Sequence, residues 1–499
     1  MFIEKGKNMK KELLKKENII HIILIVLGAT LILIPAFHTN IWFDESYSVG
    51  LMNHSFQEIW TIGGNDVHPI LYYWMLKIIN IIFGQNIIAY RVFSALGIIS
   101  LGILGITHIK KDFGKRVGLL FTFFSLFLPV MLNYALEIRM YSWTIFFVTL
   151  MAIYLYRFIK QKNLKNLILF GLFSIISCYM HYYALVCAGI INVGLIIYMI
   201  IKRKEIDKKL LKQFVLVEVA QVVLYIPWMF CFIKQLTRVG GGFWITIEFP
   251  QIFIDIINFQ FKGSLEQTIP TIFAIGLWGY IIYIIIKNIN QKEDIKVGIL
   301  PIIIYLLVIA AVSIVSLKSP ILYARYLFTI TGLIIFAISY FLAKENKKFI
   351  TGLICGMVLI MSIMNLQANA KENYDASNKE PTKYLEENLE PEDIIIYSNI
   401  NNGGVIAALI DTNKQYFLNL DNWTIEEAYK AYSPQMEVAY SVEEAIKNAK
   451  GRIFIIDTGD LSCYSKIENK EDYKEIEIKK FEPKYKNYTY NIVTLEKIK

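Results

Sequence analysis

Charged residues are scarce in this 499-residue sequence, where Asp, Glu, Lys and Arg make up only 19% of the chain while hydrophobic residues make up 55%. A soluble protein of this length needs a larger polar surface, so the sequence predicts that a bilayer covers much of the apolar excess. The net charge of +9 does not indicate a nucleic-acid partner, because the Lys and Arg residues cluster in short loops between apolar runs.

Cysteine is also rare, and the five cysteines stand singly along the chain. Four of them lie in apolar segments, where a cysteine usually behaves as a small hydrophobic residue. Their spacing matches neither a metal site nor a disulfide framework. The chain has no internal repeat and no low-complexity region.

Apolar stretches long enough to cross a bilayer recur along the chain. Eleven spans are predicted, near residues 19–37, 87–108, 117–132, 141–156, 166–180, 183–201, 213–233, 268–286, 297–317, 321–343 and 349–366. The first has the basic lead and apolar core of a signal peptide. It is long and no small-residue cleavage site follows it, so we expect an uncleaved anchor.

The apolar segment 69–83 is short and carries Lys77 in its middle. It is either another span or a helix lying along the membrane surface, with Lys77 reaching the headgroups. If the helix lies flat, the loops predicted inside hold 26 Lys and Arg residues and those predicted outside hold 6. If it spans, every later basic loop moves outside. Basic loops stay in the cytoplasm, so the flat helix is favoured.

This topology predicts a protein of the cytoplasmic membrane with three parts. Residues 1–18 form a basic N-terminus inside the cell. Residues 19–366 form a transmembrane bundle, and its outer loop 38–86 includes the surface helix 69–83. Residues 367–499 form a domain outside the membrane.

The segment after residue 366 has more charges and contains short β-like runs at 393–397, 415–418 and 452–456. Helix-like stretches lie between them, at 404–410, 426–432 and 442–449. This alternation predicts a small α/β domain, and the tail 473–498 alternates like a β-hairpin.

Four polar groups stand at the outer boundary of the predicted membrane, where charges often mark sites. The first is Asp44-Glu45, bracketed by Trp42, Phe43 and Tyr47 just after the first span. Adjacent carboxylates on a loop are often only solvated, so a functional and an idle pair are both open. The aromatic residues favour a site, since a partly dry wall raises the pKa of a carboxylate toward that of a useful base.

The second group contains Asp66, His68 and Pro69, at the start of the surface helix. Asp66 as N-cap and Pro69 in the first turn would be a purely structural arrangement. That arrangement leaves His68 unexplained, and an imidazole there could hold a phosphate or orient a carboxylate.

The other two groups carry arginines. Glu137, Arg139 and Tyr141 lie where the third span ends, either as an internal ion pair and brace or as ligand contacts. Arg325 and Tyr326 lie at the outer start of the tenth span, where an arginine either snorkels to the headgroups or offers forked donors to a lipid phosphate. Weaker candidates are Arg91, His181, Tyr182, Tyr183, Glu218 and the glycine-rich stretch 240–244, a lid or a plain loop.

These residues, in this order, resemble the GT-C glycosyltransferases, especially the branch containing the protein O-mannosyltransferases and the bacterial lipid A aminoarabinose transferases. That branch has an Asp-Glu pair in the first outer loop and then an HPP-L-Y-Y-like stretch, which here reads His68-Pro69-Ile70-Leu71-Tyr72-Tyr73. An E-x-R-x-Y element matches Glu137, Arg139 and Tyr141, and an R-Y-L element matches Arg325, Tyr326 and Leu327. Ile70 replaces the second proline, which affects only the local shape. The resemblance covers roughly residues 19–366.

The resemblance implies a polytopic α-helical, GT-C-like bundle with an extracytoplasmic α/β domain. It also implies an inverting transfer of a sugar from a polyprenyl-phosphate donor to an acceptor hydroxyl at the outer face. It assigns the role of base to Asp44, while Arg139, Arg325 and His68 would stabilise the charge of the leaving lipid phosphate. Glu45 would hold sugar hydroxyls or orient an arginine. The remaining residues of the predicted substrate-binding set are Asp66, Glu137, Tyr141 and Tyr326.

The sugar stays open, and the acceptor could be a protein, a glycolipid, a wall polymer or another glycan. The sequence requires no cofactor, although Asp44 and Glu45 could hold a divalent metal. The main alternative is a transporter or lipid-linked glycan flippase, which we expect to carry polar residues near the bilayer midplane and paired broken spans. Here the polar groups stand at the outer boundary, which favours the enzyme. A sensor or scaffold using the C-terminal domain leaves these groups unexplained.

Overall fold

The computed structural model describes residues 16–240, 245–263, 266–410, 412–419, 426–447, 449–459 and 461–498. Its helices are α1 Lys16–Leu33, α2 Phe43–Gly50, α3 Phe56–Gly64, α4 Leu71–Phe83, α5 Ile87–Leu104, α6 Lys110–Phe113, α7 Lys115–Phe127, α8 Pro129–Ala135, α9 Tyr141–Gln161, α10 Leu164–Met180, α11 Tyr182–Ile201, α12 Lys208–Gly240, α13 Gln251–Asn258, α14 Thr268–Asn290, α15 Lys296–Ser316, α16 Thr331–Lys344, α17 Lys348–Asn373, α18 Glu380–Asn388, α19 Ile400–Leu409, α20 Glu426–Tyr429, α21 Val442–Ile446 and α22 Ser462–Ser465. Its strands are β1 Ile394–Tyr397, β2 Lys414–Leu418, β3 Met436–Ala439, β4 Ile453–Asp457, β5 Tyr473–Phe481 and β6 Tyr490–Lys497.

All eleven predicted spans fall on helices, but fewer qualify as complete spans. Within the described ranges, nine helices are long and apolar enough to cross a membrane, or ten if α7 and α8 count as one bent span. The bend of 57° between these two helices lies at Pro129. Leu128 there is extended, as expected for a residue before proline. Helix α10 accounts for the remaining difference from eleven spans, because its 17 residues are too few for a complete span.

The chain divides into two compact units. The bundle unit consists of the residues up to Ala36 together with Arg91–Gln367. The mixed unit consists of Phe37–Tyr90 together with Ala368–Lys499. The outer loop that the sequence assigned to the bundle is therefore grouped with the C-terminal domain.

Small residues let helices approach closely inside the bundle unit. A Cβ atom added to Gly105 would lie 2.7 Å from the carbonyl oxygen of Gly118, and one added to Gly118 would lie 2.6 Å from that of Gly105. Such close backbone contact is how membrane helices gain packing energy where the lipid is as apolar as the side chains. Any larger residue at either position would push α7 away from the turn that follows α5.

The mixed unit contains a six-stranded sheet with the strand order β3-β2-β1-β4-β6-β5. Strands β1 to β4 are parallel, and β6 and β5 join as an antiparallel hairpin. The central strands β1 and β4 are buried along their whole length, as expected for parallel strands covered on both faces. The predicted α/β domain and its terminal hairpin are thus confirmed, whereas β3 and α18 were not predicted.

Two details of the outer loop bear on the arrangements considered for it. Helix α4 begins at Leu71 with Ile70 at its N-cap position, so Asp66 is not its N-cap. The ammonium of Lys77 has a partner within the same unit. It donates to the carbonyl oxygen of Met52 at 2.6 Å, and this carbonyl also accepts from Asn80 at 3.0 Å. Both bonds tie α4 to the turn after α2.

Candidate active site

The predicted base Asp44 and the predicted substrate-binding residue Glu45 lie in the first turn of α2. Carboxylates are favoured there because they face the positive end of the helix dipole. The backbone N–H of Trp42 donates to Oε2 of Glu45 at 3.3 Å, which satisfies one of the open donors of the helix start. Glu45 is 1% exposed, whereas Asp44 is half-buried. Asp44 is therefore the carboxylate of the pair that solvent or a substrate can reach.

Two tyrosines near the C-terminus hold this acidic helix. The hydroxyl of Tyr488 accepts from the backbone N–H of Phe43 at 3.0 Å, and the hydroxyl of Tyr485 donates to Oε2 of Glu45 at 3.5 Å. Burial raises the pKa of Tyr488 to about 12, the bond from Phe43 opposes the rise, and the charges of Asp44 and Glu45 add to it. Tyr488 is thus a protonated phenol close to both acids.

Aromatic packing fixes the rest of α2. The ring of Phe43 stacks on that of Tyr432, with centroids 5.7 Å apart and planes 13° apart, and Tyr47 meets the same ring at 5.9 Å. At the end of the helix, a Cβ added to Gly50 would lie 2.3 Å from the carbonyl oxygen of Ala431. Only glycine allows this approach, so α2 is fitted to the C-terminal domain along its length.

The second predicted group lies in the turn between α3 and α4. Asp66 is half-buried there, its backbone N–H donating to the carbonyl of Gly63 at 3.1 Å, and His68 is buried. The following stretch packs against the acidic helix, because the ring of Tyr73 lies edge-on to that of Tyr47 with centroids 5.6 Å apart. The first two polar groups are therefore parts of one packed region of the mixed unit.

The third and fourth groups meet in the bundle unit. Nη2 of Arg325 donates to Oε1 of Glu137 at 2.8 Å, and both side chains are mostly buried. The guanidinium of Arg325 also lies over the rings of Tyr141 at 4.9 Å and Tyr134 at 5.7 Å. An ion pair inside an aromatic wall holds the guanidinium in a fixed place and lowers its cost of leaving water.

His181 belongs to the same cluster, although the sequence made it only a weak candidate. Its ring is 2% exposed and faces those of Tyr326 at 5.1 Å, Tyr141 at 5.7 Å and Tyr183 at 5.7 Å. The backbone N–H of Tyr183 donates to Nδ1 at 3.1 Å, so the neutral ring carries its proton on Nε2. Burial lowers the pKa of His181 to about 3, and the charges of Arg139 and Arg325 lower it further. His181 is thus a neutral N–H donor.

The other two candidate arginines lie in or contact the turn that carries Glu137. Arg139 is 4% exposed, and its backbone N–H donates to the carbonyl of Glu137 at 2.7 Å. Nη1 of Arg91 donates to the carbonyl of Leu136 at 3.0 Å, a structural role. Residues 241–244 of the glycine-rich stretch lie outside the described residues.

The structure therefore brings the predicted residues together in two sets. Asp44, Glu45, Asp66 and His68 belong to the mixed unit. Glu137, Arg139, Tyr141, Arg325 and Tyr326 belong to the bundle unit. Sequence reasoning missed Tyr432, Tyr485 and Tyr488. The dense tyrosine spacing in the stretch 485–490 is a signal for the last two, and it does not extend to Tyr432.

The sequence left open a divalent metal held by Asp44 and Glu45. In the part of the chain that the structure describes, no three His, Cys, Asp or Glu side chains form a group that could hold a metal ion. Oε2 of Glu45 already accepts from Trp42 and Tyr485.

Comparison with known proteins matches the chain to one family and one fold. Residues 67–229 match the family described as dolichyl-phosphate-mannose-protein mannosyltransferase. The apo structure of ArnT from Cupriavidus metallidurans is 10% identical with a TM-score of 0.61, covering 95% of this chain and 97% of that chain. The structure of the same protein bound to undecaprenyl phosphate is 11% identical with a TM-score of 0.59 and the same coverage. No curated protein matches the sequence of this chain.

Proposed function

The chain has the GT-C fold of the mannosyltransferase and ArnT-like proteins, and from this we propose that it moves a sugar from a polyprenyl-phosphate donor to an acceptor hydroxyl. The reaction would invert the anomeric carbon at the outer face of the cytoplasmic membrane. The observation that carries the proposal is Arg325, held by Glu137 beside two tyrosine rings. The similar fold of a protein with bound undecaprenyl phosphate supports the choice of donor.

The cluster around Arg325 suits a lipid-phosphate leaving group. Negative charge grows on the phosphate as the glycosidic bond breaks, and preorganised donors aimed at that charge lower the barrier. Arg325 and Arg139 supply positive charge, and Nε2–H of His181 supplies a neutral hydrogen bond. The rings of Tyr134 and Tyr141 exclude water from the guanidinium, which strengthens its attraction for an anion.

Asp44 would act as the general base on the acceptor. Its carboxylate takes the proton of the acceptor hydroxyl while the hydroxyl oxygen forms a new bond to the anomeric carbon. The bond from that carbon to the phosphate oxygen breaks, and its electron pair leaves with the polyprenyl phosphate. One displacement from the opposite face inverts the centre. Glu45 is buried and bonded to Trp42 and Tyr485, so it suits holding the helix better than the predicted contact with sugar hydroxyls.

The arginines also support a reaction without a bound metal. Two guanidinium groups offer the charge stabilisation that a divalent ion would otherwise provide. Transfer should therefore persist in excess EDTA, as measured by release of polyprenyl phosphate. Loss of transfer in EDTA, with recovery on adding Mg²⁺ or Mn²⁺, would contradict this part of the proposal.

The test uses the purified protein in lipid nanodiscs with a panel of undecaprenyl-phosphate hexoses and pentoses and a cell-envelope extract as acceptor. Mass spectrometry follows the release of undecaprenyl phosphate. We expect Asp44→Asn to lower the rate by about 10²–10⁴-fold, the usual range for loss of a general base. Glu58→Gln is the matched control, because Glu58 is a first-turn carboxylate of α3 in the same unit.

The outcomes separate the competing functions. Equal rates for Asp44→Asn and the wild type would remove Asp44 as the base. If the wild type transfers no sugar from any donor in the panel, the transporter or flippase becomes the better explanation.

A further inference from the structure

A pocket in the mixed unit lies beside the acidic helix and belongs to none of the predicted groups. It has a volume of about 300 Å³, the low end of the range for small-ligand sites. It opens between the start of α18, the body of α19 and the tyrosine-rich turn before β6. Its walls include Ile41, Ile87, Val405, Tyr485, Tyr488 and Tyr490.

The lining of this pocket combines aromatic rings with neutral polar groups. Thr39, Gln85, Asn378 and Thr382 stand among the polar lining residues, and Lys379 and Glu386 add one charge of each sign at exposed positions. Sugar rings present apolar C–H faces, which pack on aromatic rings, and hydroxyls, which bond amide and hydroxyl groups. The two opposite charges leave no net charge to attract a phosphate.

Two wall residues connect the pocket to the acids. Tyr485 and Tyr488 line it, and their hydroxyls are the ones that bond Glu45 and the backbone of Phe43. A molecule in the pocket therefore lies one side chain away from the first turn of α2.

We propose that this pocket is the acceptor subsite and that it binds a neutral sugar unit of a glycan acceptor. The inference rests on the proposed function, since it assigns the substrate that Asp44 would deprotonate. The lipid-linked donor needs cations for its phosphate, and these lie in the bundle unit, so the neutral pocket suits the acceptor. Among the acceptor classes that the sequence left open, the pocket selects a glycan or glycolipid.

The test blocks the pocket from its rim. Thr382 lines the pocket, and its neighbour Lys383 does not and has a side chain that is 69% exposed. Thr382→Trp should fill the pocket, whereas Lys383→Trp adds the same ring to the outer side of the same helix. A milder variant, Glu386→Ala, removes a polar rim group at an exposed position and does not threaten folding.

Binding is measured by saturation-transfer NMR with methyl glycosides of glucose, galactose, mannose and N-acetylglucosamine. The full-length protein is held in lipid nanodiscs, because alkyl maltoside detergents present sugars of their own. We expect binding of at least one glycoside to the wild type and to Lys383→Trp. Thr382→Trp should lower the signal at least fivefold, and Glu386→Ala should lower it partly.

Transfer assays give the second measurement. Thr382→Trp should raise the KM for the envelope acceptor at least tenfold and leave the KM for the lipid-linked donor unchanged. If no glycoside binds the wild type, if Thr382→Trp binds like the wild type, or if only the donor KM rises, the acceptor subsite is refuted. If binding behaves as expected but the wild type transfers no sugar, the pocket stands and the proposed transfer reaction fails.

Discussion

The phenol of Tyr488 accepts a hydrogen bond from the backbone N–H of Phe43 at 3.0 Å, across 445 residues of sequence. Phe43 is the first residue of α2, and Asp44 and Glu45 follow it directly. The amide at a helix start has no partner within the helix, so this bond supplies one from another part of the chain. The position of the acids therefore depends on the C-terminal domain as well as on their own loop.

Removing the hydroxyl of Tyr488 should displace the two acids without weakening the binding of the lipid-linked donor. We expect Tyr488→Phe to lower kcat by about tenfold, because loss of one hydrogen bond to a half-buried amide is worth about 1–2 kcal/mol. The KM for the lipid-linked donor should stay unchanged, since the cations that would hold its phosphate lie in the bundle unit. Steady-state transfer kinetics measure both quantities.

The matched control for this substitution is Tyr384→Phe. Tyr384 also belongs to the C-terminal domain, and its hydroxyl bonds Glu477 at 2.9 Å and Thr494 at 3.4 Å, both in the hairpin of β5 and β6. It should leave kcat unchanged. Equal losses of kcat in both variants would mean that the domain is merely destabilised and that Tyr488 does not position the acids.

Gly50 gives a second, independent test of how α2 is held. A Cβ at this position would lie 2.3 Å from the carbonyl oxygen of Ala431 and 2.4 Å from that of Tyr432, and backbone cannot rotate away. Gly50→Ala should therefore cost about 1–3 kcal/mol through overpacking, and transfer should fall with it. Gly189→Ala is the control, because nothing lies within 4 Å of its added Cβ. Thermal unfolding and transfer rates that match in the two variants would contradict the close approach.

The sequence predicted the long helices because apolar runs of about twenty residues have few other solutions. It could not settle the count, which depends on how the chain bends at Pro129 and on whether 17 residues of α10 suffice. Strands β1, β2 and β4 were predictable from their short buried apolar runs. Strand β3 was not, because Met436–Ala439 is a four-residue edge strand that contains a glutamate.

The site was predictable where its residues stand in local motifs and unpredictable where they do not. Asp44, Glu137, Arg139 and Arg325 stood out as charges at predicted span ends. The ion pair between Arg325 and Glu137 could not be predicted from the sequence, because the two residues are 188 positions apart. The tyrosines that hold α2 were missed for the same reason, since packing between distant segments produces no periodic pattern in the sequence.

Arg325 should be sensitive to replacement by lysine, although the charge is kept. Lysine cannot bond in a planar fork or stack on Tyr141 in the same way. We expect Arg325→Lys to lower kcat/KM for the lipid-linked donor by about 10–100-fold, the equivalent of one or two charge-assisted bonds. Arg157→Lys is the control, because Arg157 also forms a mostly buried ion pair, at 2.7 Å from Asp112, and lies over the ring of Tyr154. Similar losses in both variants would show a general need for ion pairs in the bundle unit.

His181 makes two separable predictions about pH. In the folded protein its pKa is lowered to about 3, so its neutral form contributes stability that is fully present above the unfolded value of about 6.5. That contribution is lost as pH falls from 6.5 toward 3. Thermal unfolding at pH 7.5, 6.0 and 5.0 should show a shallower loss of stability for His181→Gln than for the wild type. An equal slope in both proteins would mean that the imidazole titrates normally.

The same histidine should act as a hydrogen-bond donor and not as an acid. His181→Gln keeps an N–H donor at similar reach and should retain most of kcat between pH 6 and 9. His181→Phe keeps the ring but removes the donor, and we expect a loss of about tenfold, the value of one hydrogen bond to a charged oxygen. A wild-type rate that falls above pH 6.5 and becomes flat in His181→Gln would instead identify an imidazolium acid.

The predicted orientation places Lys499 outside the cell, because the basic loops are expected to remain in the cytoplasm. A cysteine added after Lys499 should therefore react with a membrane-impermeant maleimide in intact cells. A cysteine at Lys204 should react only after lysis, since it lies in the most basic predicted inner loop, 202–212. The five native cysteines are first replaced by serine or alanine, so that labelling reports only the added thiol. Protection of the C-terminal thiol together with labelling at Lys204 would reverse the topology and move Asp44 to the cytoplasmic side. The donor would then have to present its phosphate to the inner leaflet, and the outer-face reaction would be ruled out.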